Sequence, residues 1–196
     1  MPQLLDSRQR PRIGWILRQP GLVLAQSLGL AACNPALLEE NGPQACPANS
    51  QMGSGSALAE VPLDGSLHLE AAKLAVFAGP SPNGYLQLLV SAVGRWPVAA
   101  LVVLSGELLP GQLIIAVPPI PAFLEGPYVA LVAMHLTLGG DLTYYEHVHG
   151  RSVAYHPAGI GLPRTCPRGG FPFAASFAFL DGQNADAHAT VACPRR

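Results

Sequence analysis

The sequence predicts an all-β fold: an antiparallel β-sandwich, immunoglobulin-like or jelly-roll, of roughly ten strands with one short helical turn near residues 35–40. Three observations lead there. Twenty-one glycines and 20 prolines among 196 residues leave little room for long helices. Dipeptides that tolerate the positive φ of tight hairpins cut the chain into strand-length pieces. Several of those pieces alternate apolar and polar residues with period two.

Taken in order, Asn34 can cap a short helix over Pro35–Glu40, with Pro35 in its first turn and Gly42 ending it. The run Ser56–Leu63 ends at Asp64-Gly65, and Pro82-Asn83-Gly84 separates Lys73–Phe77 from Tyr85–Val93. In that last run Leu86, Leu88, Val90 and Ala92 alternate with Gln87 and Ser91. Pro110-Gly111 separates Val98–Leu109 from Gln112–Val117, and the stretch from Val98 to Leu104 is apolar on both faces, which predicts a central strand. Val117-Pro118-Pro119-Ile120-Pro121 is a connection, because proline breaks a ladder. In Tyr128–Leu138 the residues Val132, Met134, Leu136 and Leu138 share one face, opposite Ala133, His135 and Thr137. Gly139-Gly140 leads to Asp141–Val148, then Ser152–His156. Pro172–Leu180, with Phe173, Ala175, Phe177 and Phe179 on one face, is joined to Ala185–Cys193 by Asp181-Gly182.

Charge and hydropathy exclude several classes. Eleven Lys+Arg against 12 Asp+Glu give a net charge of −1, too little for a nucleic-acid binder that works by bulk electrostatics. Hydrophobic residues reach 49%, which excludes a disordered chain. No apolar run reaches the ~18 residues of a membrane helix, the strongest being Pro97–Leu104.

The four cysteines, Cys33, Cys46, Cys166 and Cys193, form no C-x-x-C pair, which argues against a zinc ribbon or a thioredoxin-like motif. An even count at wide spacing fits two disulfides in an oxidising compartment, against the alternative of four buried thiols. Of three connectivities the local pairs Cys33–Cys46 and Cys166–Cys193 are simplest. A tight turn at 181–182 puts Cys193 opposite residue 170, and the bend Arg168-Gly169-Gly170 can carry Cys166 back over that gap.

Residues 1–19 mix Arg, Gln and Pro without periodicity, so the expected organisation is a poorly ordered segment 1–19 and a single β-sandwich domain over 20–196. An extracellular or cell-envelope protein needs a signal, and the expectation is that one lies upstream of this start. A second reading takes the arginines 8, 10, 12 and 18 as a basic region, Leu22–Leu30 as a short apolar core and Leu30-Ala31-Ala32-Cys33 as a lipobox with a lipidated Cys33. Gln26, Ser27 and Pro20-Gly21 weigh against it.

Scattered motifs over residues 20–196 carry a resemblance. Ser27-Leu28-Gly29-Leu30-Ala31-Ala32-Cys33 and Cys46-Pro47-Ala48-Asn49-Ser50-Gln51-Met52-Gly53 are followed by the proline stretch 117–121. The ending Cys166-Pro167-Arg168-Gly169-Gly170-Phe171-Pro172, Phe177-Ala178-Phe179-Leu180-Asp181-Gly182 and Cys193-Pro194 completes the set. Together they resemble uncharacterised extracellular β-rich repeat-type proteins of actinobacteria. The resemblance implies a secreted β-rich protein with paired cysteines, implies no activity, and places the cysteine after Gly-Leu-Ala-Ala inside the domain.

Groups able to carry chemistry are few. His147 and His149 are placed on one strand face, with His156 on the next piece and Asp141 and Tyr145 near in sequence; these three histidines are the weak metal candidates of a secreted metal-dependent hydrolase. Their competing reading is the polar outer face of a hairpin. Gly53-Ser54-Gly55-Ser56 is no nucleophile elbow, and Ser105 with Glu107 has no histidine placed beside it. Glu39-Glu40 reads as solvated charge, Asp181 as a turn residue, and Asp186 with His188 as an outward face. Gly159-Ile160-Gly161-Leu162 is no phosphate loop, so no catalytic or cofactor-binding residue is assigned and no cofactor is expected. Tyr144, Tyr145 and Tyr155 would suit a carbohydrate-binding module. The reading leans to a non-enzymatic extracellular structural or adhesive protein whose partner is a cell-surface polymer or protein, with no nucleic acid.

Overall fold

Residues that favour tight turns set the strand ends. Asp64 and Gly65, with φ of 50° and 74°, form the two-residue turn between β3 (Gln51–Leu63) and β4 (Ser66–Ala78), whose right-handed twist matches the strands it joins. In the computed structural model, which describes residues 12–20, 23–24, 31–81, 84–139, 143–156, 160–161 and 163–193, the same logic runs along the chain. The remaining strands of the main sheet are β1 (Arg12–Arg18), β5 (Leu86–Gly94), β6 (Ala100–Leu109), β7 (Gln112–Ala116), β8 (Ala130–Leu138), β12 (Phe171–Phe179) and β13 (Asn184–Val191). Two short pairs stand apart: β9 (Tyr144–Val148) with β10 (Arg151–Tyr155), and β2 (Val23–Leu24) with β11 (Ile160–Gly161).

The nine strands are hydrogen-bonded in the order β13-β12-β1-β7-β6-β5-β4-β3-β8, every pair antiparallel, in one curled sheet. The all-β antiparallel fold is as the sequence predicts, and its strands lie in one continuous curled sheet. The doubly apolar β6 sits at the middle of the order, with four strands on either side.

Alternation along these strands builds two apolar clusters on opposite faces. The inner one holds Met52, Leu74, Val76, Leu88, Val90, Leu104, Leu113 and Ile115, flanked by Leu17 on β1 and by Leu131, Met134, Leu136 and Leu138 on β8. The outer one is smaller: Phe77 and Leu89 of the sheet are covered by Cys33 and by Leu38 of the helix α1 (Pro35–Asn41). The helix starts as its sequence requires. Asn34 is the N-cap, its Oδ1 accepts the Ala36 N–H at 2.9 Å, Pro35 opens the first turn, and Gly42 at φ 79° ends it. Asn34→Ala is expected to lower stability by about 1 kcal/mol, read from a chemical denaturation midpoint at unchanged m.

Both local disulfides form. Cys33 and Cys46 have Cα atoms 4.9 Å apart, and Cys166 and Cys193 5.9 Å apart. The β12–β13 register pairs Phe171 with Val191 and Ala178 with Asn184, which continues to place Cys193 opposite residue 169, one residue from the predicted 170. Gly169 and Gly170, at φ 98° and 103°, make the bend that returns Cys166; a Cβ on Gly170 would also press on the Val191 carbonyl.

The N-terminal expectation is corrected for residues 12–18. They form β1, which lies inside the sheet between β7 and β12 and pairs with both. The domain therefore begins no later than Arg12. A seven-residue strand with a partner on each side gains a full backbone ladder, and that gain does not require strong periodicity of its own. The expectation for residues 1–11, and most of the apolar core read over 22–30, lie outside the described residues. Cys33 is buried and its sulfur is committed to the disulfide, so it is not the lipidated residue of the lipobox reading. No helix among the described residues is long and apolar enough to cross a membrane.

Candidate functional site

The inner face carries an unusual number of small side chains at one end. Ala57 and Ala59 on β3, Ala72 on β4, Ala92 and Gly94 on β5 and Ala100 on β6 face the same space. Larger residues at these positions would fill the curl; alanine and glycine leave a cavity of about 120 Å³. Val61, Leu74, Val102, Leu104 and Leu131 complete its walls, and the proline-rich connection after β7 roofs it with Val117, Ile120, Pro121, Ala122 and Val129. The bridge between Pro121 and Tyr128 and the 2.8 Å bond from the Val129 N–H to the Ile120 carbonyl hold that roof closed on itself.

Among the described residues one lining residue is charged: Glu70 of β4, opposite Ala59 in the β3–β4 register. It is 7% exposed, and its Oε1 is shielded from water with no hydrogen-bond partner. Burial pushes the Glu70 carboxyl above the usual carboxylate range, and the backbone N–H groups of Arg95 and Trp96 pull it part of the way back. Gly94 leaves room for this carboxylate, which would have to shift if a Cβ stood at that position. Beyond Gly94 the chain turns through a cis Trp96-Pro97 peptide. The Trp96 ring, two-thirds exposed, meets His68 edge-on at 5.8 Å; His68 lies two residues before Glu70 on the same face of β4.

The sign of a pH effect follows. A carboxyl whose folded pKa lies above its unfolded value binds more protons in the native state, so its contribution to stability falls as pH rises through that interval. Wild type minus Glu70→Gln is expected to be most favourable below about pH 4.5, the ordinary value for the group, and to decline as pH climbs above it. Denaturation midpoints of both proteins across pH 3.5–8 check this; a difference that rises with pH contradicts it.

The residues singled out from sequence do not gather here. His149 is not on a strand with His147: β9 ends at Val148, and His149, at φ 49°, lies in the turn before β10. His147 is opposite Ser152, while His156 reaches Thr143 at the far end of that hairpin, its Nδ1 3.2 Å from Oγ1. At ~3.3 Å per residue the four-residue offset between 143 and 147 separates His156 from His147 by about 13 Å. Among the described residues no group of three His, Cys, Asp or Glu side chains comes together to hold a metal ion. Tyr145 is exposed and opposite Ala154, Tyr144 and Tyr155 are register partners, and the side chains of these last two lie outside the described residues, as does Asp141.

Elsewhere, Ser105 and Glu107 line a groove on the outer face with Tyr85, Gln87 and Ile114, and no histidine lines it among the described residues. Glu39 and Glu40 are exposed on α1. Asp181 Oδ1 accepts the Gln183 N–H at 3.0 Å, a turn role. Asp186 accepts from the Ser176 hydroxyl at 2.7 Å, and that hydroxyl oxygen accepts from Arg18 Nη1 at 3.0 Å; His188, opposite Ala174, is exposed.

Sequence reasoning assigns no role to Glu70. The sequence does carry its signal: Glu70 shares strand parity with Ala72, Leu74 and Val76, an acid on an otherwise apolar face.

Comparison with known proteins finds no matching family model, no matching curated protein and no matching solved structure.

Proposed function

We propose that this chain is a non-enzymatic extracellular or cell-envelope protein that holds a small apolar ligand inside its curled sheet. The observation that carries the reading is the cavity of about 120 Å³ walled by small and branched apolar residues, with a single carboxyl among the described residues that line it. Apolar walls plus very few placed polar groups is the ordinary composition of a ligand site. A binding role is favoured over catalysis because, among the described residues, Glu70 is the one titratable group that lines the cavity and no nucleophile or second acid–base group lines it. Two disulfides support an oxidising compartment, and the resemblance to secreted β-rich proteins points the same way. On this view recognition is of a small molecule, in place of the surface polymer or protein that an adhesive role would require.

Titration of methyl-labelled protein with toluene tests it. Saturable shifts confined to methyls of Val61, Leu74, Val102, Leu104 and Leu131 are expected, and Ala72→Leu, which fills the cavity, should abolish them. Absence of saturable shifts in the folded wild-type protein sinks the reading.

A further inference from the structure

We infer that the cavity selects a small apolar molecule whose one polar group is a hydrogen-bond-donating cation, a primary amine, held by Glu70. The inference rests on the cavity being a binding site and adds the chemistry of what enters it. Glu70 lines the cavity at 7% exposure, and its Oε1 has neither a protein donor nor access to water. A carboxyl in that state has lost hydration at Oε1 without a donor to replace it, and an ammonium in the cavity compensates that loss once a small turn of the Glu70 side chain brings the oxygen to the cavity wall. No Lys, Arg or His lines the cavity among the described residues, so an anionic head group would meet only the like charge of Glu70. A pure hydrocarbon would fill the space and leave Oε1 unmet. An ammonium group satisfies both conditions, because a charge-assisted N–H···O⁻ bond is the strong form of this interaction.

Two further observations fix the site and the size. The carboxyl lies against Gly94, where a Cβ would displace it. The volume of about 120 Å³ compares with the ~150 Å³ of an engineered cavity that binds benzene, so the apolar part is about one ring or a short chain.

Benzylamine, benzyl alcohol, toluene and benzoate share one ring and differ in head group. Dissociation constants for all four, from methyl shifts at pH 7, test the inference in wild type and Glu70→Gln. Benzylamine is expected to bind at least about tenfold tighter than toluene, with benzyl alcohol between them and benzoate weakest. Glu70→Gln should reduce the amine's advantage over toluene to less than about threefold, with the dispersed methyl spectrum of the ligand-free variant reporting that it is folded. Benzoate binding as tightly as benzylamine overturns the inference, as does an amine preference that survives Glu70→Gln. Toluene binding with no amine preference in wild type removes the anchor and leaves the cavity reading standing. No saturable shift from any of the four removes both.

Discussion

Phe77→Ala lowers the unfolding free energy by about 3–5 kcal/mol, the range for removing a buried phenylalanine. Phe77 is 3% exposed and points to the outer face of β4, where it packs with Leu89, Leu38 of α1 and Cys33. Loss of its ring removes apolar burial and leaves a void, and the void cannot close easily. The covering segment is fixed at both ends: the Cys33 N–H donates to the Ala78 carbonyl at 2.7 Å, and the Cys33–Cys46 disulfide ties the helix to its following loop. Sites held in place in this way show the larger cavity costs. Leu37→Ala on the open side of the same helix, where the residue is 45% exposed, should change stability by less than about 0.5 kcal/mol. Urea titrations of both variants at constant m decide it; similar costs for the two would show that α1 is not anchored through Phe77.

Replacing Cys166 and Cys193 together by serine costs about 3–4 kcal/mol, the chain-entropy value for a sequence separation of 27 residues. The structure adds where that loss appears. β13 is one of the two edge strands of the sheet, and all eight of its residues are exposed. It is held by its ladder to β12, by the Ser176–Asp186 hydrogen bond and by the disulfide just beyond its end. Little buried apolar area opposes its opening once the covalent link is gone. Hydrogen exchange should therefore accelerate first in residues 184–191, while amides of β5 and β6 at the middle of the sheet follow the global stability. Uniform acceleration across the sheet would show that β13 does not open separately. Peptide mapping without reduction checks the premise, since Cys166 must be recovered linked to Cys193.

The local part of this architecture is written in particular residues. Asp64-Gly65 makes a hairpin because both turn positions need positive φ. Asn34, Pro35 and Gly42 bound the helix, because the cap side chain, the proline ring and the glycine conformation each act within a few residues. The Cys166–Cys193 pair is legible because one turn at 181–182 sets the register of a whole hairpin. The doubly apolar Val98–Leu104 stretch announces the centre of the sheet.

What sequence alone does not decide is which strands meet across long separations, and with them the site. Residues 12–18 have weak periodicity, yet β1 fills the gap between β7 and β12, about 100 and 160 residues away in the chain. His147, His149 and His156 are close in sequence and are spread along a hairpin, because strand rise carries neighbours apart while turns take residues off the face. Glu70, Gly94 and the roof over 117–129 are far apart in the chain and meet only when the sheet curls. An isolated strand fixes the face on which a carboxyl lies, but its burial, its missing partner and its raised proton affinity are set by the walls that the other strands bring to it.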